Sequence, residues 1–156
     1  LIEVKGGFEV TAIGHEVLDF LQSPKNLSQC LPNLQEFKEM DQNSFQATFK
    51  VELPRNLGIS YLQNLNVRMI FTTSNAPDGV VLRGEGRSAG VRMRISLNVR
   101  VVAKEGSSML EYEGQVDAGI VERLLGRERL ETMTRDISSS IMTCISKLLQ
   151  NGRRSS

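Results

Sequence analysis

The chain has 156 residues, 40% of them hydrophobic, enough for one domain with its own core and too few for two ordinary domains. Lys and Arg number 19 against 18 Asp and Glu, a formal charge of +1 that excludes binding of nucleic acid or anionic membrane through a global field, so any charge effect must be local. One histidine and two cysteines far apart in sequence, Cys30 and Cys144, offer neither a metal-ligand spacing nor the disulfide framework of a small secreted domain, and reduced thiols in a cytoplasmic protein are expected.

The first predicted element is a strand over residues 2–13, whose second half alternates through Phe8, Val10 and Ala12 and whose Gly6-Gly7 pair marks a bulge or bend. Residues 15–21 carry Val17, Leu18, Phe20 and Leu21 at helical spacing. Ser23-Pro24 ends that short helix and offers an N-cap and first-turn proline to a second one, which Pro32 closes. Residues 34–40 and 44–53 read as strands joined at Asp41-Gln42-Asn43, and the second of them sets Phe45, Ala47, Phe49, Val51 and Leu53 on one face. After a loop at residues 54–58, suited by its position to gate a cavity mouth, a strand over 59–73 aligns Ile59, Tyr61, Leu65, Val67, Met69 and Phe71. Gln63 is its polar exception. Asn75-Ala76-Pro77-Asp78-Gly79 is a turn, and residues 80–88 resume a strand with Val80, Leu82, Gly84 and Gly86 on one side.

The clearest pattern comes next. Over residues 91–103 every odd position is apolar (Val91, Met93, Ile95, Leu97, Val99, Val101, Ala103), while Arg92, Arg94, Ser96, Asn98, Arg100 and Lys104 fill the even ones and only Val102 interrupts them. Period two means one dry face and one wet face, hence an antiparallel sheet that needs cover on one side only. A two-residue turn at Glu105-Gly106 pairs Lys104 with Ser107 and so sets Arg100 opposite Glu111, Arg94 opposite Asp117, Leu97 opposite Gly114 and Val99 opposite Tyr112. The dry side of that last strand is Ser108, Leu110, Tyr112, Gly114, Val116 and Ala118. A similar turn at Ala89-Gly90 sets Glu85 opposite Arg94 and Gly86 opposite Met93. With acidic neighbours, the arginines read as solvated cross-strand ion pairs rather than a phosphate-binding surface.

The period then changes to about 3.6, with Leu130, Met133, Ile137, Ile141, Cys144 or Ile145, and Leu148 along one helical stripe. Gly126 separates a short lead-in containing Ile120, Val121, Leu124 and Leu125 from a main helix over 127–150 that would run roughly 36 Å. Gly152 is the C-cap signal, so residues 1–152 form a single domain and 153–156 a disordered tail. No apolar run reaches bilayer length and no basic start followed by an apolar stretch marks a secretory signal; at most peripheral contact at the inner membrane face is expected. The start at Leu1, without Met, leaves a trimmed beginning open.

Catalysis finds little support in these residues. His15 sits near the start of the first short helix, where it reads as solvated, and Cys30 beside Leu31 and Pro32 reads as packing. Gly84-Glu85-Gly86 lacks the strand-turn-helix context of a dinucleotide loop. No catalytic residue, metal ligand or cofactor is assigned. A curled sheet offers more inward surface than one long and two short helices can touch, which leaves room for an apolar cavity. Its expected lining is Phe49, Val51, Tyr61, Leu65, Val67, Met69, Leu82, Met93, Ile95, Leu97, Tyr112 and Val116, faced by Met133 and Ile137, with inward glycines Gly84, Gly86 and Gly114 leaving space or marking bends. Each apolar position also reads as plain core.

Strand, two short helices, six strands and one long C-terminal helix is the order of the α+β helix-grip fold of START-like and pollen-allergen proteins. Phe8-Glu9-Val10, Cys30-Leu31-Pro32 at the end of the second helix, Gly84-x-Gly86, and Leu110-x-Tyr112 leading to Gly119 and Gly126 follow one another along essentially the whole chain. In this order they resemble the CoxG-like family of carbon monoxide dehydrogenase subunits, within the SRPBCC superfamily. Asn33 stands where the family's Cys-Leu-Pro-Gly signature has glycine, a residue type that tolerates left-handed backbone. The resemblance implies a seven-stranded curved antiparallel sheet around the C-terminal helix. It also implies an accessory role beside a carbon monoxide dehydrogenase-type oxidoreductase, through membrane recruitment or quinone linkage. With the cavity, the expected function is non-catalytic binding of a lipid, isoprenoid or quinone. Two other classes remain: an aromatase/cyclase-like enzyme, if Tyr61, Gln63 and Tyr112 meet around one point, and a protein-interaction adaptor using the outer sheet face through Arg92 and Arg100.

Overall fold

Among the described residues, 1–52, 64–88 and 90–154, the computed structural model runs β1 (Ile2–Val10), α1 (Gly14–Leu21), α2 (Pro24–Ser28), β2 (Leu34–Asp41), β3 (Ser44–Glu52), β4 (Asn64–Ala76), β5 (Gly79–Ser88), β6 (Val91–Lys104), β7 (Ser107–Asp117), α3 (Ile120–Leu125) and α4 (Arg127–Arg154). The strands make one seven-stranded antiparallel sheet in the order β1-β7-β6-β5-β4-β3-β2, so β1 closes beside the last strand and the α1-α2 pair carries the chain to the far edge. This is the helix-grip arrangement.

The turns set the register as their chemistry requires. Gly106 takes φ 76°, which a two-residue hairpin turn demands, and the ladder follows: Lys104 faces Ser107, Arg100 faces Glu111, Leu97 faces Gly114 and Arg94 faces Asp117. Between β5 and β6, Glu85 faces Arg94 and Gly86 faces Met93. The Ser23 hydroxyl caps α2 by accepting the Asn26 N–H, with Pro24 in the first turn. Asn33 adopts φ 57°, so the left-handed turn after Cys30-Leu31-Pro32 forms without glycine.

Four expectations are corrected. Gly6-Gly7 makes no bulge: β1 pairs with β7 in unbroken register from Ile2↔Val116 to Val10↔Ser108. The glycine instead makes room, since a Cβ at Gly6 would overlap the Tyr112 ring lying across it. Cys30 and Cys144 are not free thiols but a disulfide, their Cα atoms 5.4 Å apart across 114 residues of sequence. Spacing could not reveal this, because only the fold brings the end of α2 against α4, and the cytoplasmic setting read from reduced thiols loses that support. Finally, α4 buries Leu130, Met142, Ile145 and Leu149, while Ile137 is 45% exposed. The buried stripe is therefore rotated from the expected one by most of a residue step. The helix also continues to Arg154, past the Gly152 expected to cap it.

The interior divides in two. One cluster joins Ile2, Phe45, Ala47, Val67, Met69 and Phe71 of the sheet to Val121 and Leu125 of α3 and Leu130 at the start of α4. The other joins Val10, Val80, Val99 and Leu110 to Val17 and Leu21 of α1, Cys30, and Met142, Ile145 and Leu149 near the end of α4. The middle of α4 anchors neither.

Candidate functional site

The inner face of the sheet is built by the odd residues of β6 and their partners. Met93, Ile95 and Leu97 on β6, Leu82 on β5, Tyr112 and Val116 on β7, and Phe49 on β3 all face inward yet stay only half-buried. Val67 and Met69, each 2% exposed, are closed core instead. An apolar side chain on the dry side of a sheet that still meets solvent has incomplete cover, and this partial exposure is what a ligand would remove. Val51 and Leu65 pair in register, as expected for neighbours on one face, but their side chains lie outside the described residues. So do Tyr61, Gln63 and the loop at 54–58.

The glycines settle between leaving space and allowing close approach. A Cβ at Gly84 would sit 2.6 Å from the Phe71 ring, one at Gly86 would sit 2.5 Å from the Arg68 carbonyl oxygen and 2.6 Å from the Met69 side chain, and one at Gly114 would overlap the Ser96 carbonyl oxygen. At Gly84 a ring fills the room, and at Gly86 and Gly114 the neighbouring strand's backbone comes close. The glycines shape the wall without themselves opening a hole in it.

Sequence reasoning placed only Phe49 in the site, whereas the structure groups four phenylalanines there. Phe45 stacks on Phe71 with ring centroids 5.0 Å apart, Phe37 lies 5.3 Å from Phe45, and Phe49 meets Phe71 edge-on at 6.1 Å. Phe37 and Phe49 remain half-buried at the accessible end of this aromatic patch. The signal was present as a cross-strand pair, Phe45↔Phe71, but reading it needed the β3–β4 register across a long connection.

On the helix side, Met133 packs partly buried against the first cluster. Ile137 points away. At about 3.6 residues per turn, the line from Leu130 to Met142 passes instead through Thr134 and Ser138, both half-buried. Their hydroxyls donate to the Leu130 and Thr134 carbonyls at 2.8 Å, so they present small, self-satisfied surfaces. Small residues at mid-helix add little bulk between the residues that join α4 to the two clusters. Two depressions open to solvent, one along Ser139, Thr143, Lys147 and Leu148 and one at the turn of Asp41 to Ser44, contain none of the expected wall residues.

No group of three or more His, Cys, Asp or Glu positioned to hold a metal occurs among the described residues. The Tyr112 hydroxyl lies over Gly6 on β1. The carboxyl of Asp41, in the exposed β2–β3 turn, is held below its ordinary range by the Asn43 N–H at 2.8 Å and the Ser44 hydroxyl. It is remote from the inner face, and its role is to close a hairpin. No helix among the described residues is long and apolar enough to cross a membrane.

Residues 6–150 match the CoxG family of carbon monoxide dehydrogenase subunits. Among solved structures, a conserved protein from Geobacillus kaustophilus is similar with a TM-score of 0.81 at 16% identity, covering 96% of this chain and 96% of that one. The Zhui aromatase/cyclase from Streptomyces sp. R1128 gives 0.61 at 14% identity, over 96% of this chain and 93% of that one. A START superfamily protein from Mycobacterium smegmatis gives 0.57 at 11% identity, over 94% and 98%. At these identities the structural likeness carries the fold alone. No curated protein matches the chain by sequence. The family match spans both the Cys30-Leu31-Pro32 turn and the half-covered inner face held by α4, and the chain belongs to the CoxG family of carbon monoxide dehydrogenase subunits.

Proposed function

We propose that the protein binds an apolar or amphipathic small molecule, a lipid, isoprenoid or quinone, between the inner face of the sheet and α4, without catalysing its conversion. The observation that carries this is the half-buried inward row of Met93, Ile95, Leu97, Tyr112 and Val116, which packs against the two clusters without being closed by either. The half-buried rings of Phe37 and Phe49 favour a ligand with a flat ring, since offset and edge contacts add to area burial. A quinone with an isoprenoid tail fits both surfaces. Family membership supports an accessory role beside a carbon monoxide dehydrogenase-type oxidoreductase, carrying the quinone or recruiting the enzyme to the membrane periphery.

Native mass spectrometry of the purified protein, followed by organic extraction and a menaquinone titration, tests the reading. A co-purified lipid or quinone, or saturable menaquinone binding, is expected. Purified protein that carries no ligand and takes up neither menaquinone nor phospholipid would overturn it. The aromatase/cyclase-like reading needs polar groups converging with Tyr112, whose hydroxyl lies over Gly6 of β1.

A further inference from the structure

The outer face of the sheet carries ion pairs at some of its arginines and not at others. Arg94 meets Glu85 at 3.5 Å and Arg100 meets Glu111 at 2.7 Å. The adaptor role expected of Arg100 therefore has a simpler explanation. Arg92 differs. It stands directly opposite Arg87 on β5, and Arg87 stands directly opposite Arg68 on β4. All three are exposed, and none makes a salt bridge to a described acid.

Like charges placed opposite one another across strands are destabilising. The acids nearby are otherwise placed: Glu85 is held by Arg94, the Asp117 carboxylate accepts the Gly119 N–H at 3.1 Å, and Glu36 lies beyond Thr48 at the end of the row. With strands roughly 4.8 Å apart, the three arginines span about 10 Å. Spread in line across three strands, they match an extended anionic strip along their full length.

We propose that the Arg68–Arg87–Arg92 row is a docking surface for a partner protein that presents a strip of carboxylates. The adjoining row decides between a protein and a bilayer. It carries Asp117, a carboxylate that an anionic lipid surface would repel, the Glu85–Arg94 pair, which adds no net charge, and Ile70, 46% exposed, which can receive an apolar side chain from a partner. A carboxylate strip one row wide meets arginines alone, and its bidentate pairs with guanidinium fix the register. This surface is separate from the inner face and does not depend on what binds there.

The probe is a short fluorescein-labelled peptide alternating Glu and Thr, titrated with the full chain and read by anisotropy. Saturable binding that fades with added salt is expected, weakened at least ~10-fold by combining R68Q, R87Q and R92Q and unchanged by the charge-matched set K5Q, K38Q and K104Q. The single variant Arg87→Gln should also raise Tm at low salt, which shows that it folds and that the row repels itself. Absence of peptide binding, equal loss in both triple variants, or tighter arginine-dependent binding to phosphatidylglycerol vesicles than to the peptide would overturn the proposal.

Discussion

Gly84 and Gly6 each lie under an aromatic ring, and what differs is the freedom of that ring to move. Phe71 is 3% exposed and stacked on Phe45, so a methyl at Gly84 has nowhere to send it. Gly84→Ala should cost about 1–3 kcal/mol in urea denaturation, the usual penalty of overpacking. Tyr112 is half-buried and can swing outward, so Gly6→Ala should cost less. Equal costs would show that the rings are equally confined. Asp41 makes a smaller, pH-dependent contribution. Its carboxyl is held below the ordinary 3.8 by the Asn43 N–H and Ser44, so the turn's stabilisation is present above that value and is lost as pH falls through the lower, folded one. An NMR titration should place the midpoint below 3.8, and a midpoint at or above it would remove the turn's role.

At the scale of elements, α4 and its attachments decide how the sheet is covered. Met142→Ala and Ile145→Ala should each cost about 2–5 kcal/mol, because each leaves a cavity in a closed cluster. Ile137→Ala should stay within about 0.5 kcal/mol, as expected of an exposed position. The reverse order would restore the stripe that periodicity alone suggests. The Cys30–Cys144 bond ties the end of α2 to α4 across 114 residues and so removes a large loop from the unfolded ensemble. Replacing both cysteines by serine should cost about 2–5 kcal/mol, and native protein denatured with and without reductant should differ by a similar amount. Identical curves with and without reductant would deny the bond.

Across the whole molecule, the ligand space proposed between the sheet and α4 can be filled on purpose. Leu97→Trp should weaken menaquinone binding at least ~10-fold, about 1.4 kcal/mol, while the protein stays folded by circular dichroism; undiminished affinity would move the ligand elsewhere. Much of this architecture is legible in the chain. Strict alternation in β6 and a glycine-bearing two-residue turn determine strand, face and register together, because a one-residue slip would turn every apolar side chain of β6 to water. The same arithmetic that sets Glu85 opposite Arg94 also sets Arg87 opposite Arg92, but Arg68 joins them only through the β4–β5 ladder. The four-phenylalanine patch, the rotated stripe of α4 and the disulfide were likewise beyond local reading. Local sequence by itself determined the elements, the two faces and the short hairpins, since propensity, period and turn chemistry act within a few residues. Only the tertiary structure decided which side of α4 meets the sheet, which cysteine finds which, and where the cover stops. Those depend on packing between segments far apart in the chain, where many arrangements satisfy the same pattern and shape complementarity selects one.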